Sequence, residues 1–74
     1  MQVYALVLAC VMGGGCNPGY FVVRQSLFLD CQSDVLPMIE GRKSKDRNGN
    51  LVTWHARGCE TRDSPPAGQM LGMI

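Results

Sequence analysis

Residues 3–12 read VYALVLACVM and run into Gly13-Gly14-Gly15-Cys16, and this stretch decides how the chain folds. Its β-branched and aromatic residues, its length and the Gly-rich break after it predict a β-strand. An apolar segment before small residues and a cysteine is also the pattern of a bacterial lipoprotein signal, in which Cys16 would be acylated. Such a signal opens with positive charge, and Met1-Gln2 carries none, so the strand is favoured.

Length and composition predict one small folded domain. The chain has 74 residues, of which 46% are hydrophobic and 18% charged, so it can form a core. A chain of this size gains little stability from its core alone and benefits from cross-links. The net charge of +1 gives no general attraction to nucleic acid or to anionic lipid. We expect a single domain at residues 1–60 and a proline-containing C-terminal tail at residues 61–74.

Two further strands are predicted. Residues 20–23 (YFVV) follow the turn-forming residues 17–19 (NPG) and pair with the first strand as a β-hairpin. Residues 41–50 read as a solvated loop. Residues 51–57 then alternate and predict a half-buried strand that stops at Gly58-Cys59. Three residues share its buried side: Val52, Trp54 and Ala56.

Between the second and third strands the spacing predicts a helix. Ser26 can cap it, and Pro37 limits it, because a proline disfavours the helical conformation in the residue before it. Four residues fall on one helical face: Phe28, Cys31, Val35 and Ile39. A continued strand, with alternation across Leu27, Leu29 and Cys31, is the alternative. The predicted fold is α+β, of ββαβ order, with a three-stranded antiparallel sheet in the order 2-1-3 and one helix on one face.

A set of apolar residues, glycines and cysteines runs along the chain: Tyr4-Ala5-Leu6-Val7-Leu8, Cys10, Gly14-Gly15-Cys16, Val22-Val23, Cys31 and Gly58-Cys59. This pattern resembles a family of short enterobacterial prophage and phage proteins of unknown function, which begin Met-aromatic-Ala-Leu-Val-Leu and share the order of cysteines. The resemblance implies a phage or prophage origin and a small accessory role. It supplies no catalytic residues.

The predicted topology brings the four cysteines together in pairs. Cys31 meets Cys59 at one end of the sheet, and Cys10 and Cys16 flank the hairpin at the other. Two disulfides would stabilise the fold in an oxidising compartment, whereas a reducing cytosol would keep free buried thiols, and both readings stay open. A zinc site using Cys31, His55 and Cys59 is disfavoured, because no Cys-x-x-Cys pair accompanies them, and we assign no metal.

No arrangement of residues predicts catalysis or a cofactor. The single histidine, His55, is expected on the solvent side of the third strand, and the carboxylates are scattered. Four cations in the loop could contact phosphates: Arg42, Lys43, Lys45 and Arg47. Asp46 lies among them and no aromatic residue is interleaved for base stacking, so we expect a solvated loop and no nucleic-acid partner.

The C-terminal residues are the candidate interaction surface. After Pro65-Pro66 the tail ends in four apolar residues: Met70, Leu71, Met73 and Ile74. They form an exposed patch unless they dock on their own sheet or on a partner, and methionine-rich surfaces adapt readily to partners. The sequence therefore predicts a non-enzymatic phage or prophage accessory protein, in the bacterial cytoplasm, that binds a host or phage macromolecule, with a protein as the expected partner.

The alternative function follows from the signal-like start. An exported lipoprotein acylated at Cys16 would act at the cell envelope, by blocking a receptor or in lysis, and only this lipidation would bring the chain to a membrane.

Overall fold

The structure is a computed structural model that describes residues 1–24 and 30–74. Within these residues five strands form one mixed sheet in the order β3-β4-β1-β2-β5. The strands are β1 (Gln2–Val11), β2 (Cys16–Val23), β3 (Lys43–Lys45), β4 (Leu51–Arg62) and β5 (Gln69–Met73). β5 runs parallel to β2, and the other neighbouring strands are antiparallel. The molecule is mostly β, with one short helical segment.

The predicted three-stranded antiparallel ββαβ fold is wrong, because β3 and β5 extend the sheet on its two sides. The sequence of β3, Lys-Ser-Lys, has no apolar residue and therefore has the pattern of a solvated loop. β5 follows two prolines and contains a glycine, and its parallel pairing with β2 depends on a distant connection that periodicity does not reveal. The domain boundary expected at residue 60 falls inside β4, and part of the expected tail is the edge strand β5.

β1 occupies the centre of the sheet. It pairs with β2 without irregularity, from Val3 opposite Val23 to Cys10 opposite Cys16, and with β4 along its whole length. Gly13, in the turn that joins β1 to β2, has a φ of 79°, which a residue with a side chain rarely adopts. The stretch that could be read as a signal is therefore the strand against which the other strands assemble.

The helical segment is a π-helical turn (Cys31–Val35) that continues into a single α-helical turn, α1 (Leu36–Ile39). Asp30 caps it: its Oδ1 accepts the N–H groups of Gln32 and Ser33, both at 2.9 Å. The predicted cap, Ser26, and the predicted face residue Phe28 lie outside the described residues.

Pro37 does not end this segment, contrary to the expectation from the sequence. The proline lies in the first turn of α1, a position at which proline is tolerated, and directly follows Leu36, whose N–H donates to Cys31 O in the π turn. The helix continues to Ile39, and the wider π turn comes directly before the proline.

The helical segment covers one face of the sheet, which we call the inner face. Six buried residues form the core there: Ala5, Val7, Phe21, Val23, Val35 and Ile39. Trp54 packs against this core, and its ring centroid lies 5.2 Å from that of Phe21. Fully burying a side chain such as Ile39 contributes about 1.5–3 kcal/mol, so this small cluster provides much of the stability of the domain.

The opposite, outer face also carries buried side chains. Tyr4 and Tyr20 are both buried, and their rings meet edge to face with centroids 5.5 Å apart. The connection from β4 to β5 includes the buried Pro66, and its Gly68 approaches β2 so closely that a Cβ there would lie 2.7 Å from the Pro18 carbonyl oxygen. The outer face of the sheet is therefore also partly buried and is not simply exposed to solvent.

A β-bulge in β4 determines which face Cys59 occupies. Val7 pairs with Ala56 and Leu6 with Gly58, which leaves Arg57 as an extra residue. Strict alternation would place Cys59 on the same face as Thr53 and opposite to Trp54. The extra residue reverses the alternation, so Cys59 lies opposite Ala5 on the inner face. The strand does not stop at Gly58-Cys59, as the sequence predicted, but continues to Arg62.

The bulge makes the disulfide between Cys31 and Cys59 possible, with Cα atoms 6.2 Å apart. A second disulfide joins the directly paired Cys10 and Cys16, with Cα atoms 4.0 Å apart. The structure therefore has disulfides in the two pairings that the sequence analysis weighed against free thiols. One tethers the helical segment to β4, and the other links β1 to β2 beside their turn.

We predict that Cys59→Ser lowers the free energy of unfolding by roughly 2–4 kcal/mol under oxidising conditions, because an open 28-residue separation gives the unfolded chain more conformations. Cys16→Ser opens a separation of only six residues and should cost about 1 kcal/mol less. Urea unfolding with and without a thiol reductant measures both. If Cys59→Ser lowered the free energy of unfolding relative to the parent by the same amount with and without reductant, the Cys59 side chain and not the disulfide would stabilise the fold.

Candidate interaction surfaces

The structure divides the four apolar C-terminal residues into two pairs. Leu71 and Ile74 pack against the core on the inner face. The side chains of Met70 and Met73 stay exposed, with relative accessibilities of 51% and 54%. Met70 pairs with Tyr20 and Met73 with Val22, which places both methionines on the outer face. The candidate surface therefore docks partly on its own sheet and offers two methionines to a partner.

β5 also presents an open backbone edge. Ile74 donates its N–H to Val22 O and accepts the N–H of Arg24, both at 2.8 Å. Because successive residues of a strand direct their backbone groups to opposite sides, the N–H and C=O of Met73 point away from β2. Among the described residues no strand pairs with that outer edge. The strand carries no charged residue.

The other edge of the sheet is protected. β3 has only three residues, Lys43, Ser44 and Lys45, and all three are exposed. Short edge strands and edge lysines discourage the addition of another strand. Because β3 is blocked in this way and β5 is not, the two edges differ in their capacity to bind an extended chain.

The turn between β3 and β4 is ordered by Asp46. Its Oδ1 accepts the N–H groups of Asn48 at 2.9 Å and Asn50 at 2.8 Å, and its backbone N–H donates to Asn50 O. The N–H of Asn50 is the first cause that lowers the pKa of Asp46 below its usual 3.8. The loop predicted at residues 41–50 is thus part of a short hairpin, and its only carboxylate, that of Asp46, accepts hydrogen bonds from the backbone of the turn.

Glu40 follows α1 and reaches across to β4. Its Oε2 accepts the backbone N–H of Ala56 at 2.8 Å, and its Oε1 lies 3.5 Å from Nδ1 of His55. The Ala56 N–H lowers the pKa of Glu40 below its usual 4.5, and His55 lowers it further. His55 is exposed, as predicted. Through its contacts with Ala56 and His55, Glu40 connects the helical segment to the middle of β4.

Among the described side chains no group of three or more His, Cys, Asp or Glu residues is placed to hold a metal ion. Cys31 and Cys59 are bonded to each other, whereas His55 pairs with Leu8 on the outer face and contacts Glu40, so the histidine does not join the two cysteines considered with it for zinc. A groove of about 590 Å³ lies beside the Cys31–Cys59 bridge, bordered by Arg24, Asp30 and Thr61 among others. The Asp30 carboxylate is engaged in helix capping. Within residues 1–24 and 30–74 no helical segment has the length and apolarity required to span a bilayer.

Comparison of the chain with protein-family profiles, with characterised proteins and with solved structures finds no match. The likeness to short phage proteins stays a prediction. The open edge of β5 could not be predicted from the sequence, because it depends on the pairing of β5 with β2. The cations at residues 42–47 are visible in the sequence, whereas the alignment of Lys43 and Lys45 depends on strand pairing.

We predict that Glu40→Gln makes the stability less sensitive to acid. A folded pKa below the unfolded value stabilises the protein fully above the usual carboxyl pKa of 4.5, and this contribution is lost as the pH falls through the folded pKa. Glutamine keeps an oxygen for the Ala56 N–H but does not titrate in this range. Urea midpoints at neutral pH and at about pH 3 measure the difference.

The control for this experiment is Asp63→Asn, which removes one exposed carboxylate directly after the end of β4. It should leave the loss of stability in acid as large as in the parent. An equal loss in Glu40→Gln and in the parent would show that the Glu40–Ala56 contact does not contribute to folding.

Proposed function

We propose that this chain is a small non-enzymatic accessory protein, of phage or prophage origin, that acts by binding a host or phage protein through the edge of β5. The observation that carries the proposal is the contrast between the two sheet edges: β3 is short and bears lysines, whereas β5 is uncharged and open on its outer side within the described structure. Unprotected strand edges bind extended segments by adding a strand to the sheet.

The side chains beside this edge support the same mode of binding. Met70 and Met73 project from one face of β5 and are about half exposed. Backbone hydrogen bonds to the edge would supply affinity for any extended segment, and the methionines would select apolar side chains on it. Because methionine is unbranched and polarisable, such a surface accommodates partners of different shape.

The position of β1 supports an intact chain over the lipoprotein alternative. Removal of residues 1–15 would take away the strand that pairs with both β2 and β4, together with Ala5 and Val7 of the core. It would also remove Cys10, the disulfide partner of Cys16. Acylation of Cys16 and this fold are therefore mutually exclusive.

We predict that Met70→Lys combined with Met73→Lys abolishes partner binding, because two cations on the edge strand oppose the addition of an apolar segment. The matched control is Met38→Lys, which alters a methionine exposed to the same 54% as Met73 but in α1. Cross-linking in a bacterial lysate, followed by quantitative mass spectrometry, compares the two with the parent. Proteins captured by the parent and the control but lost with the edge variant are the expected result; equal capture by all three chains would contradict the proposal.

We also predict that the N-terminal residues are not removed by proteolytic processing. Expressed in a bacterium, the protein should have the mass of an unprocessed chain in which β1 is retained and Cys16 carries no lipid. Intact mass spectrometry of the membrane and soluble fractions measures this directly. A diacylated product that begins at Cys16 would replace the binding proposal with the envelope function.

A further inference from the structure

The charges of this chain are unevenly distributed along the sequence. Five of the seven Lys and Arg residues lie between residues 42 and 57, and five of the six Asp and Glu residues lie outside that range. We name these five cations the basic hairpin: Arg42, Lys43, Lys45, Arg47 and Arg57, all of them exposed. The other five acidic residues and the remaining two cations, Arg24 and Arg62, lie outside this range of the sequence, so a net charge of +1 conceals a positive region.

The cations of the basic hairpin are not neutralised by carboxylates. Within the described residues the two side-chain ion pairs are His55 with Glu40 and Arg62 with Glu60, and neither includes the basic hairpin. Asp46, the one acid among these cations, accepts N–H groups from its own turn. The presence of Asp46 counted against phosphate binding in the sequence; its carboxylate is instead committed to the turn.

Strand pairing aligns the lysines. Lys43 lies opposite Thr53 and Lys45 opposite Leu51, and directly paired residues share a face. Both lysines therefore project from the outer face, two residues apart along the strand, or about 7 Å. Arg42 and Arg47 flank them on the same short segment, and Arg57 follows at the bulge of the adjacent β4. A row of cations held by a sheet edge suits a partner with regularly spaced negative charges.

We infer that the basic hairpin binds the phosphate backbone of a duplex nucleic acid without reading its bases. Charge complementarity selects a polyanion, and a duplex carries one phosphate charge per about 1.7 Å of its axis. Binding of single strands depends on aromatic side chains that stack on bases. Tyr4, Tyr20 and Phe21 are buried and Trp54 packs on Phe21, so the described structure offers no exposed aromatic ring for stacking.

This site is independent of the protein-binding edge. β3 and β5 lie at opposite sides of the five-stranded sheet, so both surfaces are accessible at once. The lysines that protect the β3 edge from strand addition are the same ones that face the phosphates, and one role does not preclude the other.

The test measures binding to a fluorescently labelled DNA duplex of about 20 base pairs by anisotropy, from about 50 mM to about 200 mM salt. The parent protein should bind two duplexes of unrelated sequence equally, with affinity that falls steeply as salt rises. Lys43→Gln combined with Lys45→Gln should weaken binding and reduce the magnitude of the slope of log K against log salt by about 1.8, which is about 0.9 for each lost phosphate contact.

The matched control is Arg24→Gln combined with Arg62→Gln, which changes the net charge by the same amount at sites outside the basic hairpin. It should retain the slope of the parent. If circular dichroism shows that the lysine variant is unfolded, Arg42→Gln combined with Arg47→Gln provides the same charge change in the same hairpin and carries the same expectation.

Several outcomes would overturn the inference. They are no binding at the lowest salt, an equal loss of slope in the control variant, tighter binding to a single strand than to a duplex, and equal binding to polyglutamate or to vesicles of anionic lipid. A parallel titration with an RNA duplex compares the two nucleic acids that share a phosphate backbone. Tighter binding to the DNA duplex or to the RNA duplex identifies which of them the protein prefers.

Discussion

The central strand β1 is the constraint on which the rest of the structure depends. It is hydrogen-bonded along both sides, to β2 and to β4, and it contributes side chains to both faces of the sheet. On the inner face Ala5 and Val7 pack under the helical segment, and on the outer face Tyr4 packs against Tyr20. A strand fixed in this way leaves its neighbours little freedom of register, since a shift by one residue would move every apolar side chain to the wrong face.

The parts of the fold that could be predicted are those set by local patterns. Alternation and turn residues locate β1, β2 and the first half of β4, and these three strands are neighbours in the sheet. What periodicity cannot show is a strand stabilised only by its neighbour. β3 has no apolar residue and exists because it pairs with Thr53 and Val52. The bulge at Arg57 likewise depends on pairing with β1 and leaves no signal in the sequence.

The candidate site was predictable in composition but not in arrangement. The sequence singled out four apolar C-terminal residues, and only the structure shows that Leu71 and Ile74 face the core whereas Met70 and Met73 do not. The division arises at an irregularity in the pairing of β5, where Leu71 is the extra residue between Met70 and Gly72. The side chain of Leu71 lies over Gly19, where a Cβ would approach to 2.8 Å, so glycine at that position makes room for it.

The bulge in β4 also determines how this strand can vary in length. Loss of Arg57 would bring Ala56 and Gly58 together as successive members of a regular ladder, with Trp54 and Cys59 still directed towards the helical segment. Loss of a residue from the regular stretch between 52 and 55 would instead turn part of the strand over. Arg57 is therefore a position at which a one-residue deletion would leave the faces of the flanking residues unchanged.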